Sequence, residues 1–240
     1  MGKFIDTELW QRALAKPDWY VGIAADFKRL EKLAAQSDHE TRKQIKSEMY
    51  GFIETALKNK QIMLAKAGED FDKQRRPIDT IVIHHSKNRD GLSLARLNAM
   101  HLLIIYGTYY AKPSDEREKH FTGQPVWSGH FYKNQQVFWG YHWLVKTSGQ
   151  AEQILDDKYV GWHAGNWDIN TRSIGICIDD DLSEKAPSPE SLKAVAKIIK
   201  NRYAFVKPAK IIGHKDANPK TACPGKLFDD VWRKQLLSGL

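Results

Sequence analysis

Apolar residues recur at helical spacing through the first part of the chain. Leu9, Trp10 and Leu14 form a short run, and Trp19, Tyr20, Ile23, Phe27, Leu30 and Leu33 a longer one. Side chains three and four positions apart share a helix face, so both runs predict amphipathic helices. Pro17 separates them, since proline cannot continue a helix interior. Ser37 with Glu40 has the form of a capping box, and Asp38 adds negative charge to a first turn. A second long helix is predicted after it, through Ile45, Met49, Phe52, Ile53, Leu57, Ile62 and Leu64, weakened locally at Gly51. Residues 1–72 are therefore read as a helical extension whose aromatics pack, and Lys73 to Pro77 as a linker.

From Ile78 the period changes. Thr80-Ile81-Val82-Ile83 is a continuous β-branched run, the pattern of a strand buried on both faces. Leu92 to Ile105 is helix-like. Tyr110 to Phe138 has no clear period and predicts a long loop or irregular hairpin, kept from disorder by its aromatics. Strands are expected at Tyr141 to Lys146, near Gln153 to Leu155, at Ser173 to Ile178 and at Lys210 to Gly213. Between them a helix begins at Pro189, capped by Ser188 with Glu190 in its first turn, and a terminal helix covers Leu227 to Leu237. Strands alternating with helices predict an α/β domain over residues 78–240, a central mixed sheet flanked by helices.

Composition narrows the function classes. With 42% hydrophobic and 28% charged residues the chain reads as an ordinary globular protein. No apolar run reaches the ~20 residues that span a bilayer, so no membrane span is expected. Met1 to Trp10 lacks a basic stretch followed by an apolar one, and no signal peptide is read there. The net charge of +8 favours an anionic partner, with nucleic acid, anionic lipid and bacterial cell wall all qualifying. The basic residues are scattered among acidic ones without a nucleic-acid motif, so no nucleic-acid partner is expected. Two cysteines, Cys177 and Cys223, are too few for a disulfide scaffold and leave open one disulfide or a metal role.

Three residues carry candidate chemistry. His84 ends the strand IVIH, His214 ends IIGH, and Cys223 follows nine residues later in HKDANPKTACPG. Strand ends at the sheet rim are where open α/β folds place their sites. Two imidazoles and a thiolate suit Zn²⁺ and leave a fourth position open, the catalytic arrangement. Cys223 also precedes Pro224 at an expected helix start, whose amides would favour the thiolate. Taken singly, a strand-end histidine is more often a hydrogen-bonded rim residue, and spacing alone does not establish the trio.

The segments IVIHHS, GYHWLVKTSG, WHAGNWDINTRSIGICI and GHKDANPKTACPG resemble, in register and in order over about Ile78 to Leu237, the amidase family shared by phage lysozyme-type amidases and peptidoglycan recognition proteins. The resemblance implies a zinc hydrolase cutting the amide between N-acetylmuramic acid and L-alanine in peptidoglycan or muropeptides, acting on the bacterial cell wall. It makes His84, His214 and Cys223 the metal ligands and Tyr141 a catalytic residue. Cys177 stands where one branch of the family has a catalytic glutamate, which points to the tyrosine-type branch. A second catalytic position falls on Thr221 by spacing, with Lys220 adjacent. His163, in WHAG, is a candidate for proton transfer or for substrate contact, and His85 and Trp162 are candidate substrate contacts beside it. Strand alternation is expected to send His85 and His142 away from His84 and Tyr141. The rival implied by the same resemblance is a non-catalytic peptidoglycan-binding module. The complete ligand set favours the enzyme. Residues 1–72 lie outside the resemblance.

Overall fold

The computed structural model describes residues 3–88, 91–112 and 116–240, without the side chains of residues 116–118. In chain order it begins with helices α1 (Thr7–Leu14), α2 (Trp19–Gln36) and α3 (His39–Lys58). Strand β1 (Thr80–His85) precedes α4 (Leu94–His101), which continues through a π-helical turn, Leu102–Gly107, into α5 (Thr108–Ala111). A two-residue hairpin follows, β2 (Phe131–Tyr132) and β3 (Gln135–Gln136), then β4 (Trp143–Lys146), β5 (Ala151–Gln153), α6 (Trp167–Asn170) and β6 (Ser173–Asp179). The chain ends with α7 (Pro189–Arg202), β7 (Ile211–Gly213), α8 (His214–Ala217), a π-helical turn at Phe228–Trp232, and α9 (Arg233–Ser238). Among the described residues no helix is long and apolar enough to cross a membrane.

These elements form two compact units. The first comprises Met1–Asp70 with Ser93–Phe138, and the second Phe71–Leu92 with Trp139–Leu240. The N-terminal helices are therefore not a unit by themselves. The helix at α4 buries Leu97, Leu102, Leu103 and Tyr106, an apolar face that needs partners, and it packs against α3 with Arg96 bonded to Glu54 at 2.9 Å. Tyr20 of α2 ties in the loop beyond α5, accepting from Gly123 N–H at 2.7 Å. At the start of α3 the cap is Asp38, whose carboxylate accepts from Thr41 N–H, in place of the expected Ser37.

The second unit is built on a five-stranded sheet in the order β5-β4-β6-β1-β7. Three of its four pairings are parallel, and β5 is an antiparallel edge on β4. This is the expected mixed α/β sheet. Its cap prediction at α7 also holds, with Ser188 Oγ accepting from Ser191 N–H at 3.1 Å. Lys73 to Pro77, expected as a linker, is instead built into this unit. Arg75 reaches the carbonyls of Asp157, Asn170 and Ser173, and Arg76 N–H bonds Thr171 O. A guanidinium has five fixed donors, so it can gather several carbonyls that would otherwise lie buried and unpaired.

Strand alternation sorts this sheet into two faces. Ile81 and Ile83 of β1 share a face with Ile174, Ile176 and Ile178 of β6, paired in register. That face meets Val195 and Ile199 of α7 and Phe228, Trp232 and Leu236 of the C-terminal turns in one core. Each such side chain contributes roughly 1.5–3 kcal/mol on burial. The opposite face carries Thr80, Val82 and His84, beside Ser173, Gly175 and Cys177. Polar groups buried there must find partners, and their partners make the site.

Candidate metal and catalytic site

His84 lies at the C-terminal end of β1, paired with Cys177 in the register of β6. His214 follows directly on β7, which pairs with β1 through Ile83 and Gly213. The two imidazole rings consequently meet, with centroids 4.5 Å apart. Cys223 arrives from the loop after α8, which is folded back by Cys223 N–H to Thr221 Oγ1 and by Lys215 N–H to Cys223 O. Its sulfur lies 3.9 Å from His84 Nδ1 and accepts from His85 N–H at 3.4 Å. One ligand atom from each of His84, His214 and Cys223 lies within 4.8 Å of the others.

The donor set fits a zinc ion. Burial lowers the His214 pKa, which keeps its ring neutral with a lone pair to offer. Burial pushes the Cys223 thiol up to about 12, against the pull of His85 N–H. The helix-start effect expected at Cys223 does not operate, because the next helical turn begins only at Phe228. Thiolate at neutral pH therefore requires a cation in the pocket, and a bound divalent metal deprotonates a coordinating thiol.

Beside the trio, His163 is buried. Its Nδ1 lies 3.0 Å from His84 Nε2 and its Nε2 lies 3.2 Å from Ser173 Oγ. Its main chain is fixed by Asn170, whose Oδ1 accepts from His163 N–H and Ala164 N–H. Gly175 makes room for the ring, since a Cβ there would stand 2.8 Å from His163 Cγ. Ser173, Asn170 and Gly175 were not singled out from sequence. The available signal was a small polar residue and a glycine within the otherwise apolar strand SIGICI.

His85 points to the other side, as alternation requires, and its Nδ1 accepts from Leu182 N–H at 2.9 Å. Burial lowers its pKa to about 4. His142 does not turn away as expected. In the β4–β6 register Leu144 lies opposite Cys177, and His142, two residues before it, falls on the same face as Cys177 and His84. The His142 ring lies 5.9 Å from that of His163, accepts from Gly175 N–H and bonds Tyr159 O.

Tyr141 lies beside His84 at 4.9 Å between centroids, the rings tilted by 47°, and its hydroxyl is hydrogen-bonded to the Cys177 sulfur. Burial, followed by the neighbouring thiols of Cys177 and Cys223, raises the Tyr141 pKa well above its ordinary value. Cys177 is likewise raised by burial, and both cysteines are free thiols. Lys220 is exposed, while Thr221 is half-buried. Trp162 is buried, edge-on to Phe71 at 5.2 Å and Trp167 at 5.8 Å, so its ring belongs to an aromatic cluster.

The sequence profile of the N-acetylmuramoyl-L-alanine amidase family matches residues 74–226, which include His84, Tyr141, His163, His214 and Cys223. The chain belongs to that family. Among curated proteins, the amidase domain is 28% identical over 103 residues to the endolysin of Escherichia phage T7, an alignment covering 41% of this chain and 66% of that one. It is also 28% identical over 106 residues to a 1,6-anhydro-N-acetylmuramyl-L-alanine amidase of Haemophilus influenzae, covering 40% of this chain and 56% of that one. The chain thus spans just under two thirds of the phage relative's length. Among solved structures, an endolysin amidase from Clostridium intestinale superposes with a TM-score of 0.46 at 19% identity, covering 72% of this chain and 89% of that one.

Proposed function

We propose that this amidase hydrolyses the amide bond between N-acetylmuramic acid and L-alanine in peptidoglycan, using a zinc ion held by His84, His214 and Cys223. The convergence of those three donors within 4.8 Å is the observation that carries the reading. A zinc ion bound there supplies a Lewis acid that lowers the pKa of water from ~16 toward ~7 and polarises the scissile carbonyl.

The chain's own groups do the rest. Tyr141 keeps its proton, because its pKa lies above the ordinary value, so it serves as a hydrogen-bond donor to the developing oxyanion. Without substrate the hydroxyl lies against the Cys177 sulfur, and its proton turns from there to the oxyanion. Lys220 and Thr221 remain the candidates for a second donor. Thr221 Oγ1 already accepts from Cys223 N–H, which leaves its hydroxyl proton to offer, while the exposed Lys220 can swing its ammonium in. The substrate is cell-wall peptidoglycan or a muropeptide released from it, and a net charge of +8 favours association with an anionic wall.

Digestion of purified sacculi, with and without prior removal of metal by a chelator, tests the proposal. New N-terminal alanine detected by mass spectrometry, lost on chelation and regained on adding zinc, is the expected result. Cleavage elsewhere, or alanine release that survives complete metal removal, would overturn it.

A further inference from the structure

His84 has two ring nitrogens, and they face different partners. Nδ1 looks toward Cys223, 3.9 Å from its sulfur, and Nε2 looks toward His163 at 3.0 Å. A neutral imidazole carries one proton, and the nitrogen that takes a metal must be the bare one. With Nδ1 bare, Nε2 carries the proton and donates it to His163 Nδ1. His163 must then be neutral with its own proton on Nε2, directed at Ser173 Oγ 3.2 Å away. His84, His163 and Ser173 are all buried, at 0%, 4% and 0% exposure, so water does not compete for these bonds.

From this geometry, and resting on the zinc reading above, we propose that His163 is a positioning residue for the metal site. Backed by Ser173, it fixes the tautomer and the ring plane of His84, so that Nδ1 is presented to the ion. The surroundings of His163 fit a fixed support rather than a mobile group. Asn170 holds its main chain and Gly175 lies flat under its ring. With both ring nitrogens engaged, His163 has none left to touch substrate.

Zinc affinity, measured by competition with a chromophoric chelator on the full chain, tests the proposal together with the His84 tautomer read from ¹⁵N shifts in the zinc-free protein. His163→Phe keeps the bulk and removes the acceptor, and a roughly 10- to 100-fold loss of affinity is expected. His163→Asn places an amide oxygen near the lost Nδ1 and should recover most of that loss. Ser173→Ala should weaken binding less than His163→Phe, since it leaves the direct contact in place. Wild-type affinity in His163→Phe would overturn the positioning role, as would equal losses in His163→Phe and His163→Asn when both are folded. If His163→Phe does not fold, the tautomer decides: a proton on Nε2 of His84 supports the relay, and one on Nδ1 overturns it. Failure of the wild-type protein to bind zinc at all would instead overturn the metal reading on which the proposal stands.

Discussion

The sulfur of Cys223 lies 3.9 Å from Nδ1 of His84, although 139 residues separate the two in sequence. The contact exists because β7 adds to the edge of β1 in parallel, which sets His214 beside His84 and lets the loop after α8 bring the thiol back over the sheet rim. Every chemical expectation for this molecule depends on that closure.

Tyr141→Phe removes a hydroxyl that donates and leaves the ring packed beside His84. Turnover on a soluble muropeptide should fall roughly ten- to a thousand-fold, the usual loss for an oxyanion donor, with KM and zinc content little changed. Unchanged kcat in a zinc-loaded variant would remove Tyr141 from the chemistry.

Asp179 is fully buried and accepts from Lys146 Nζ at 2.7 Å, Leu92 N–H at 2.7 Å and Ser86 Oγ at 2.9 Å. It pins the chain where it leaves β1 just beyond His84. Lys146→Met leaves the carboxylate buried without its cation, so unfolding free energy in urea should drop by on the order of 3 kcal/mol. A loss no larger than that of an exposed ion pair would mean that Asp179 is satisfied by its other two donors.

His101 in the first unit is held by burial at about 3, below its ordinary 6.5. A depressed folded-state pKa means that the stability is present above 6.5 and is lost as pH falls from there toward 3. The urea midpoint of the wild type should therefore fall more steeply across that window than the midpoint of His101→Gln. Parallel curves for the two proteins would show that His101 takes up its proton without opening the fold.

Deletion of residues 1–70 should not yield a well-behaved amidase domain. It would strip α3 from α4 and expose Leu97, Leu102, Leu103 and Tyr106, which are buried in the intact chain. Losing the burial of each costs roughly 1.5–3 kcal/mol. The expected result is aggregation on size-exclusion chromatography and strong binding of an apolar dye. A monodisperse truncation with native near-ultraviolet circular dichroism would show that Ser93–Phe138 holds its structure without the N-terminal helices.

Local chemistry fixed a good part of this architecture in advance. The β-branched run at Thr80 to Ile83 could be read as a doubly buried strand because nothing else buries consecutive branched residues so well, and Ser188-Pro189 could be read as a helix start from capping alone. The family motifs marked His84, His214, Cys223 and Tyr141 for the same reason: each motif is a short stretch that carries its own residue order. Three matters were decided only by the tertiary structure. Ser93–Phe138 joined the N-terminal helices, because an amphipathic helix follows whichever apolar face it meets, and periodicity does not name that partner. His142 turned toward His163 because the register of β4 on β6 sets Leu144 opposite Cys177 and so puts position 142 on the His84 face, while Tyr141 lies ahead of a strand that begins two residues later than its sequence pattern predicts. The support of His84 by His163 and Ser173 arose from the parallel register of β1 and β6 together with the space left by Gly175. Register is a pairing between distant segments, and the sequence of either strand alone leaves it open.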